Sequence, residues 1–174
     1  FVGLQYLLPQ HLLSALMYRF ARLRWRPLKS LLISTFARHF RVNMTEAREP
    51  DLASYDSFNA FFTRALQPGA RPLPADSAAI ACPADGALSQ HGAISAGRLF
   101  QAKGLDYALD ELVGDPDWAR HFVGGSFATI YLSPRDYHRV HMPATGRLRG
   151  MIHVPGRLFS VNRITASLVP RLFA

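Results

Sequence analysis

Cysteine is almost absent: Cys82 is the single one among 174 residues. That excludes an intramolecular disulfide framework and a cysteine-rich zinc module, and it suits a reducing compartment. No acidic residue precedes Glu46. There is also no long apolar run. Residues 1–18 carry no formal charge, but Gln5, Pro9, Gln10, His11 and Ser14 interrupt them, so they make a poor spanning helix, which needs ~20 predominantly apolar residues. They fail as a signal peptide too, because the basic residues follow the apolar stretch instead of preceding it. Glycine-rich phosphate loops, zinc-finger spacings, RNA-binding signatures, internal repeats and low-complexity tracts are all missing. The chain begins at Phe1 rather than Met, so a longer natural protein is expected. What is plentiful is apolar: 49% of residues are hydrophobic, with twelve Phe, six Tyr and two Trp. Disorder is thereby excluded, and one domain, alone or with an appendage, is expected.

The charge is unevenly placed. Twenty Lys and Arg against twelve Asp and Glu give +8, yet Arg19, Arg22, Arg24, Arg26, Lys29, Arg38 and Arg41 all precede the first carboxylate. Between residues 12 and 23, Leu12, Leu13, Leu16, Met17, Phe20 and Leu23 follow a helical spacing, with Arg19, Arg22 and Arg26 on another stripe. Pro9 suits a first helical turn, and Pro27 is expected to end or kink this helix. Leu28, Leu31, Leu32, Phe36 and Phe40 repeat the pattern. Two interfacial amphipathic helices, with apolar faces in a lipid boundary and arginines on anionic headgroups, fit residues 1–44. Two ordinary helices packed on a core with a solvated basic face fit the same pattern, which does not choose between them. Nucleic acid is not expected as a partner.

Residues 45–174 read as an α+β domain. A polar connector over 42–55 leads to a short helix capped by Asp56 or Ser57, with Phe58, Phe61, Phe62 and Leu66 inward. The run 67–74 is punctuated by proline and must be irregular. Strands are expected at 78–82, 87–91, 126–132, 139–142 and 148–154, separated by turns at 83–86, 133–136, 143–146 and 155–156, and a short helix at 106–113 ended near Gly114. The architecture expected is amino-terminal amphipathic helices followed by a mostly antiparallel β-sheet. Cys82 is expected in the core, and Gly104 and Gly156 at turns.

Two places could carry chemistry. Asp85, in Pro83-Ala-Asp-Gly86, is first of all a turn residue, but a carboxylate there can also orient an imidazole. The denser constellation is Ser133-Pro-Arg-Asp-Tyr-His-Arg-Val-His-Met-Pro143. His138 and His141 can divide base and acid roles near neutral pH. Alternatives are two half-buried histidines bonded to backbone, or a metal site, for which no third ligand is apparent nearby. Residues three apart on a regular strand face opposite sides, so a shared site requires His138 at a turn or bulge.

These stretches resemble the bacterial phosphatidylserine decarboxylase proenzyme family, in the part that becomes its larger amino-terminal β chain. The resemblance rests on Phe58-Asn-Ala-Phe-Phe-Thr-Arg64, Pro83-Ala-Asp-Gly86 with Ser89-Gln90, Gln101-Ala-Lys-Gly104, Tyr131 through Pro143, and Val154-Pro-Gly-Arg-Leu-Phe-Ser-Val-Asn162, in family order. It implies decarboxylation of phosphatidylserine to phosphatidylethanolamine by a self-processing enzyme with a covalent pyruvoyl group. It further implies Asp85 and His141 as the pair that activates the cleavage serine, His138 as the residue aiding decarboxylation or reprotonation, and Tyr137, Phe159, Ser160 and Asn162 as substrate-binding. No metal is implied. Implied partners are an anionic phospholipid membrane, at the cytoplasmic face of the cell membrane, and the carboxyl-terminal α chain of the same proenzyme; a homodimer is compatible. The family's Leu-Gly-Ser-Thr-like cleavage segment does not occur in these residues, and Gly125-Ser126 lies where the family has a non-cleaved segment. The pyruvoyl-forming serine is therefore expected outside this chain, which alone should be inactive. A non-catalytic membrane-peripheral lipid-binding module of the same fold is the alternative.

Overall fold

A computed structural model describes residues 2–76, 78–102 and 105–173. The chain forms two compact units that interleave along the sequence: Phe1–Ala15, Leu88–Thr129 and Leu148–Ala174 in one, Leu16–Ala87 and Ile130–Arg147 in the other.

The first unit opens with helix α1 (Val2–Leu7) and takes in the beginning of α2 (Gln10–Ala21). Strand β1 (Ala87–Ala93) pairs with β4 (Ser126–Tyr131). Strands β2 (Arg98–Ala102) and β3 (Leu105–Ala108) form an antiparallel hairpin in which Leu99 faces Tyr107 and Phe100 faces Asp106. Helix α5 (Leu109–Val113) follows and stops at Gly114, whose φ of 75° supplies the left-handed stop. Helix α6 (Pro116–Ala119) is capped by Asp115, and α7 (Arg163–Leu168) by Asn162 with Thr165 in a capping box. Ile94, Leu99, Tyr107, Leu109 and Ala119 are the core.

In the second unit, α3 (Arg26–His39) buries Ile33 and Ala37 against Tyr55 and Phe61. Ser57 caps α4 (Phe58–Phe62), its Oγ accepting from the Ala60 N–H at 3.2 Å. Ala47 bridges Leu66, and the N–H of Gln67 donates to the Glu46 carbonyl at 2.9 Å. This places Glu46 next to the chain leaving α4.

The α+β class is as expected, and so are the Ser57 cap, the inward Phe61, the Gly114 stop and two of the five strands. Three strands are corrected. Residues 78–82 and 139–142 do run together, through Ala81 N–H to Pro143 carbonyl (2.8 Å) and His141 N–H to Pro83 carbonyl (2.8 Å). Pro83 and Pro143 have no N–H to continue the ladder, so the pairing stops at two bonds. Residues 148–154 are exposed and form no strand. Without its strand, Cys82 is exposed rather than in the core. The expected helix at 106–113 begins three residues late, because β3 turns Tyr107 into the core at 4% exposure. Pro27 does not end α2, which stops at Ala21; it sits in the first turn of α3, where a missing N–H costs nothing. Gly104 lies outside the described residues, and Gly156 sits in irregular chain.

Helix α2 buries none of its residues. Leu12, Leu16, Met17 and Tyr18 are each more than half exposed, as is Trp25 beyond the helix end. Among the described residues, no helix is long and apolar enough to cross a membrane.

Candidate active site

The site residues of the second unit come from two segments. The first is the turn 83–86. Gly86 is needed there because a Cβ would lie 2.6 Å from the Tyr131 carbonyl and 2.9 Å from Ile130. The close approach holds Asp85 beside the start of the second segment, residues 131–141. That segment turns at Ser133–Asp136 (Asp136 N–H to Ser133 carbonyl, 2.9 Å), and the Asp136 carboxylate receives the Ser133 N–H at 2.6 Å. His138 therefore follows a turn, as a shared site requires, and the Pro83–His141 backbone bond ties both segments together.

His138 is half-buried. Its ring stacks on Phe62 at 4.1 Å, and Nε2–H donates to the Ser133 carbonyl at 3.1 Å. That bond puts the proton on Nε2 and leaves the Nδ1 lone pair as the basic position. Burial lowers its pKa below the ordinary imidazole value, against the opposing effects of the Ser133 carbonyl and Asp136. The ring is thus neutral at pH 7. Phe62 stacks on Phe58 at 5.9 Å, and Phe58 meets Phe36 edge-on at 5.0 Å, so the imidazole ends a column of rings that starts at α3.

His141 is exposed. Its ring lies nearly parallel to that of Tyr137, 5.5 Å away, and Nε2 is 2.9 Å from the buried Tyr137 hydroxyl. With the phenol donating, the imidazole proton sits on Nδ1, the tautomer that a carboxylate can orient. The carboxylate expected to do so is engaged elsewhere. Among the described residues, the Asp85 carboxylate is bound by Arg71: Nε lies 3.0 Å from both oxygens and Nη2 2.5 Å from Oδ2. Nη2 also reaches Glu46 at 2.7 Å, and these bonds raise the pKa of Arg71 further. Arg71, Glu46 and Arg64 were missed in the sequence. Arg64 lay inside a recognised stretch and Arg71 inside a proline-punctuated one, with nothing in their spacing to join them to Asp85.

These groups border a polar cavity of about 290 Å³, reached by Arg41, Arg64, Arg71 and Arg135 and by Glu46, Asp85, Asp136 and Tyr137. In the first unit the other expected substrate contacts have structural duties. Phe159 meets Tyr6 edge-on at 4.8 Å, Ser160 donates to Gln5 Oε1 from N (2.9 Å) and Oγ (3.1 Å), and Asn162 caps α7. No group of three His, Cys, Asp or Glu converges to hold a metal ion among the described residues.

The sequence profile described as phosphatidylserine decarboxylase matches residues 58–174, and a second, described as PSD, matches residues 1–41. The phosphatidylserine decarboxylase proenzyme of Pseudomonas entomophila (strain L48) is 61% identical over 175 positions, and that of Pseudomonas aeruginosa (strain LESB58) 59%. Each comparison covers 100% of this chain and 61% of the relative. The chain therefore belongs to the phosphatidylserine decarboxylase family. It spans about 61% of the length of those curated relatives.

Proposed function

We propose that the protein to which this chain belongs decarboxylates phosphatidylserine to phosphatidylethanolamine, with a covalent pyruvoyl group made by self-cleavage at a serine outside residues 1–174. The observation that carries this reading is the junction of the two segments. The 2.8 Å bond from His141 N–H to the Pro83 carbonyl brings an aspartate turn and two imidazoles into one unit. When present, a pyruvoyl ketone supplies the carbonyl that condenses with the substrate amine and the sink for the electron pair left by carbon dioxide. The donor set suits such a group. His138 is neutral, its Nδ1 without a hydrogen-bond partner among the described residues, and His141 Nε2 already faces a hydroxyl at 2.9 Å.

In self-cleavage, His141 Nε2 takes the serine hydroxyl proton while Asp85 orients the ring, releasing part of its bond to Arg71. In turnover, His138 receives and returns a proton at Nδ1. Tyr137, Phe159, Ser160 and Asn162 are the proposed substrate contacts. The exposed α2, with Arg19 in its last turn and Arg22 and Arg24 just beyond, suits peripheral attachment to anionic lipid at the cytoplasmic face of the cell membrane. The carboxyl-terminal α chain of the same proenzyme is the proposed partner.

The Arg71 clasp on Asp85 favours a second reading, a lipid-binding module without catalysis. The intact mass of the protein expressed from its complete gene separates the two. Two chains, the smaller one blocked by a pyruvoyl group, support the enzyme. One uncleaved chain under native conditions supports the module.

A further inference from the structure

The cavity of the second unit has an imbalance of charge. Its carboxylates are already taken: Arg71 holds Glu46 and Asp85, and Asp136 receives the Ser133 N–H at 2.6 Å. Two of its guanidinium groups are not. Arg64 is only 4% exposed; its Nη2 donates to the Arg135 carbonyl at 3.2 Å, while Nε and Nη1 have no hydrogen-bond partner among the described residues. A buried guanidinium with two unmade hydrogen bonds is costly, and an oxyanion is the group that offsets it best. Arg41 has no carboxylate partner among the described residues. It is held in the cavity wall at the end of α3 with φ 53°, a left-handed position where glycine is usual.

We propose that Arg64 and Arg41 bind the phosphodiester of the serine-phospholipid headgroup in this cavity, an inference that rests on the decarboxylase reading above. The headgroup offers two oxyanions, and the chemistry selects between them. The carboxylate leaves as neutral carbon dioxide, so a guanidinium clamped on it would hold the ground state and release the transition state, raising the barrier. The phosphodiester keeps its charge throughout and can be held tightly without that penalty. At about 290 Å³ the cavity is also larger than one phosphate needs.

The test uses the processed enzyme from the complete gene, with glycerophosphoethanolamine (phosphodiester, no carboxylate), serine (carboxylate, no phosphate) and inorganic phosphate as probes. In Arg41→Gln, whose side chain is exposed, KM for phosphatidylserine and the calorimetric Kd for glycerophosphoethanolamine should each rise about tenfold. kcat should stay within about twofold, because uniform binding is what has been removed. Arg64→Gln should repeat the pattern if it folds. Unchanged KM and Kd in Arg41→Gln overturn the proposal. So does selective loss of serine binding, or inorganic phosphate binding as tightly as glycerophosphoethanolamine. An enzyme that binds glycerophosphoethanolamine through Arg41 but decarboxylates nothing would sink the functional reading instead, and the calorimetry keeps these two failures apart.

Discussion

Replacing Asp85 by Asn separates what this residue does for folding from what it does for chemistry. The amide keeps the shape and removes the charge that Arg71 grips. The pair is bidentate, but the side chains are 47% and 27% exposed, so solvent screens it. Unit charges at 4 Å interact by about 1 kcal/mol in water and about 4 kcal/mol near a protein surface, and measured exposed pairs fall at about 0.2–1 kcal/mol. Arg71 retains Glu46 in the variant. The stability loss should therefore be about 1 kcal/mol, within reach of a folded protein. Self-cleavage should fall far more if Asp85 orients His141 as proposed, because an imidazole without its carboxylate loses tautomer and orientation together, worth about 10⁴-fold in serine triads. The assay follows the uncleaved chain by gel over days after synthesis from the complete gene, beside urea melts of the same preparation. A variant that is folded and uncleaved bears out the reasoning. Wild-type cleavage of Asp85→Asn would refute the role of the carboxylate, and a loss above about 3 kcal/mol would refute the solvent-screened account of the pair.

Two further outcomes follow from the same geometry. Burial depresses the pKa of His138 below its reference value of 6.5. Between that reference and the lower folded value, the unfolded chain carries the proton and the folded one does not. Stability should thus be intact above about pH 6.5 and decline as pH falls through this window, and His138→Gln should flatten that stretch of the curve in urea melts. Reversing Arg22→Glu, just past the end of the exposed α2, removes the guanidinium that lies 3.6 Å over the Tyr18 ring and should cost about 1 kcal/mol, yet weaken sedimentation with anionic liposomes severalfold, most clearly at low salt. Equal binding by the variant would return α2 to the role of an ordinary solvated helix.

The sequence revealed most where one residue type dictates one local geometry: Ser57 as a cap, Gly114 as a stop, Phe61 as core. It singled out the two histidines through a dense run of residues and Asp85 through its turn, and one backbone bond joins the two segments. It did not reveal the 78–82 and 139–142 segments as unstranded, because alternation of apolar residues says nothing about whether a proline across the pair withholds the next donor. The α3 stripe was also misplaced by a residue: Leu31 is exposed and Ile33 is buried, since the helix presents to α4 a face that the leucines alone do not define. Arg71 was invisible as a site residue for a different reason. Its partner Asp85 lies fourteen residues away across irregular chain, and no periodicity links positions in such a stretch.

The column of rings from Phe36 through Phe58 and Phe62 to His138 has a consequence for how a reaction here must be staged. An imidazole whose face is covered by the ring of Phe62 and whose Nε2–H is bonded to backbone cannot swing out to collect a proton and carry it elsewhere. It is a fixed post, not a ferry. In the proposed role of His138 the reacting carbon has to be brought to Nδ1, so the precision of the proton step falls on whatever steers the incoming molecule.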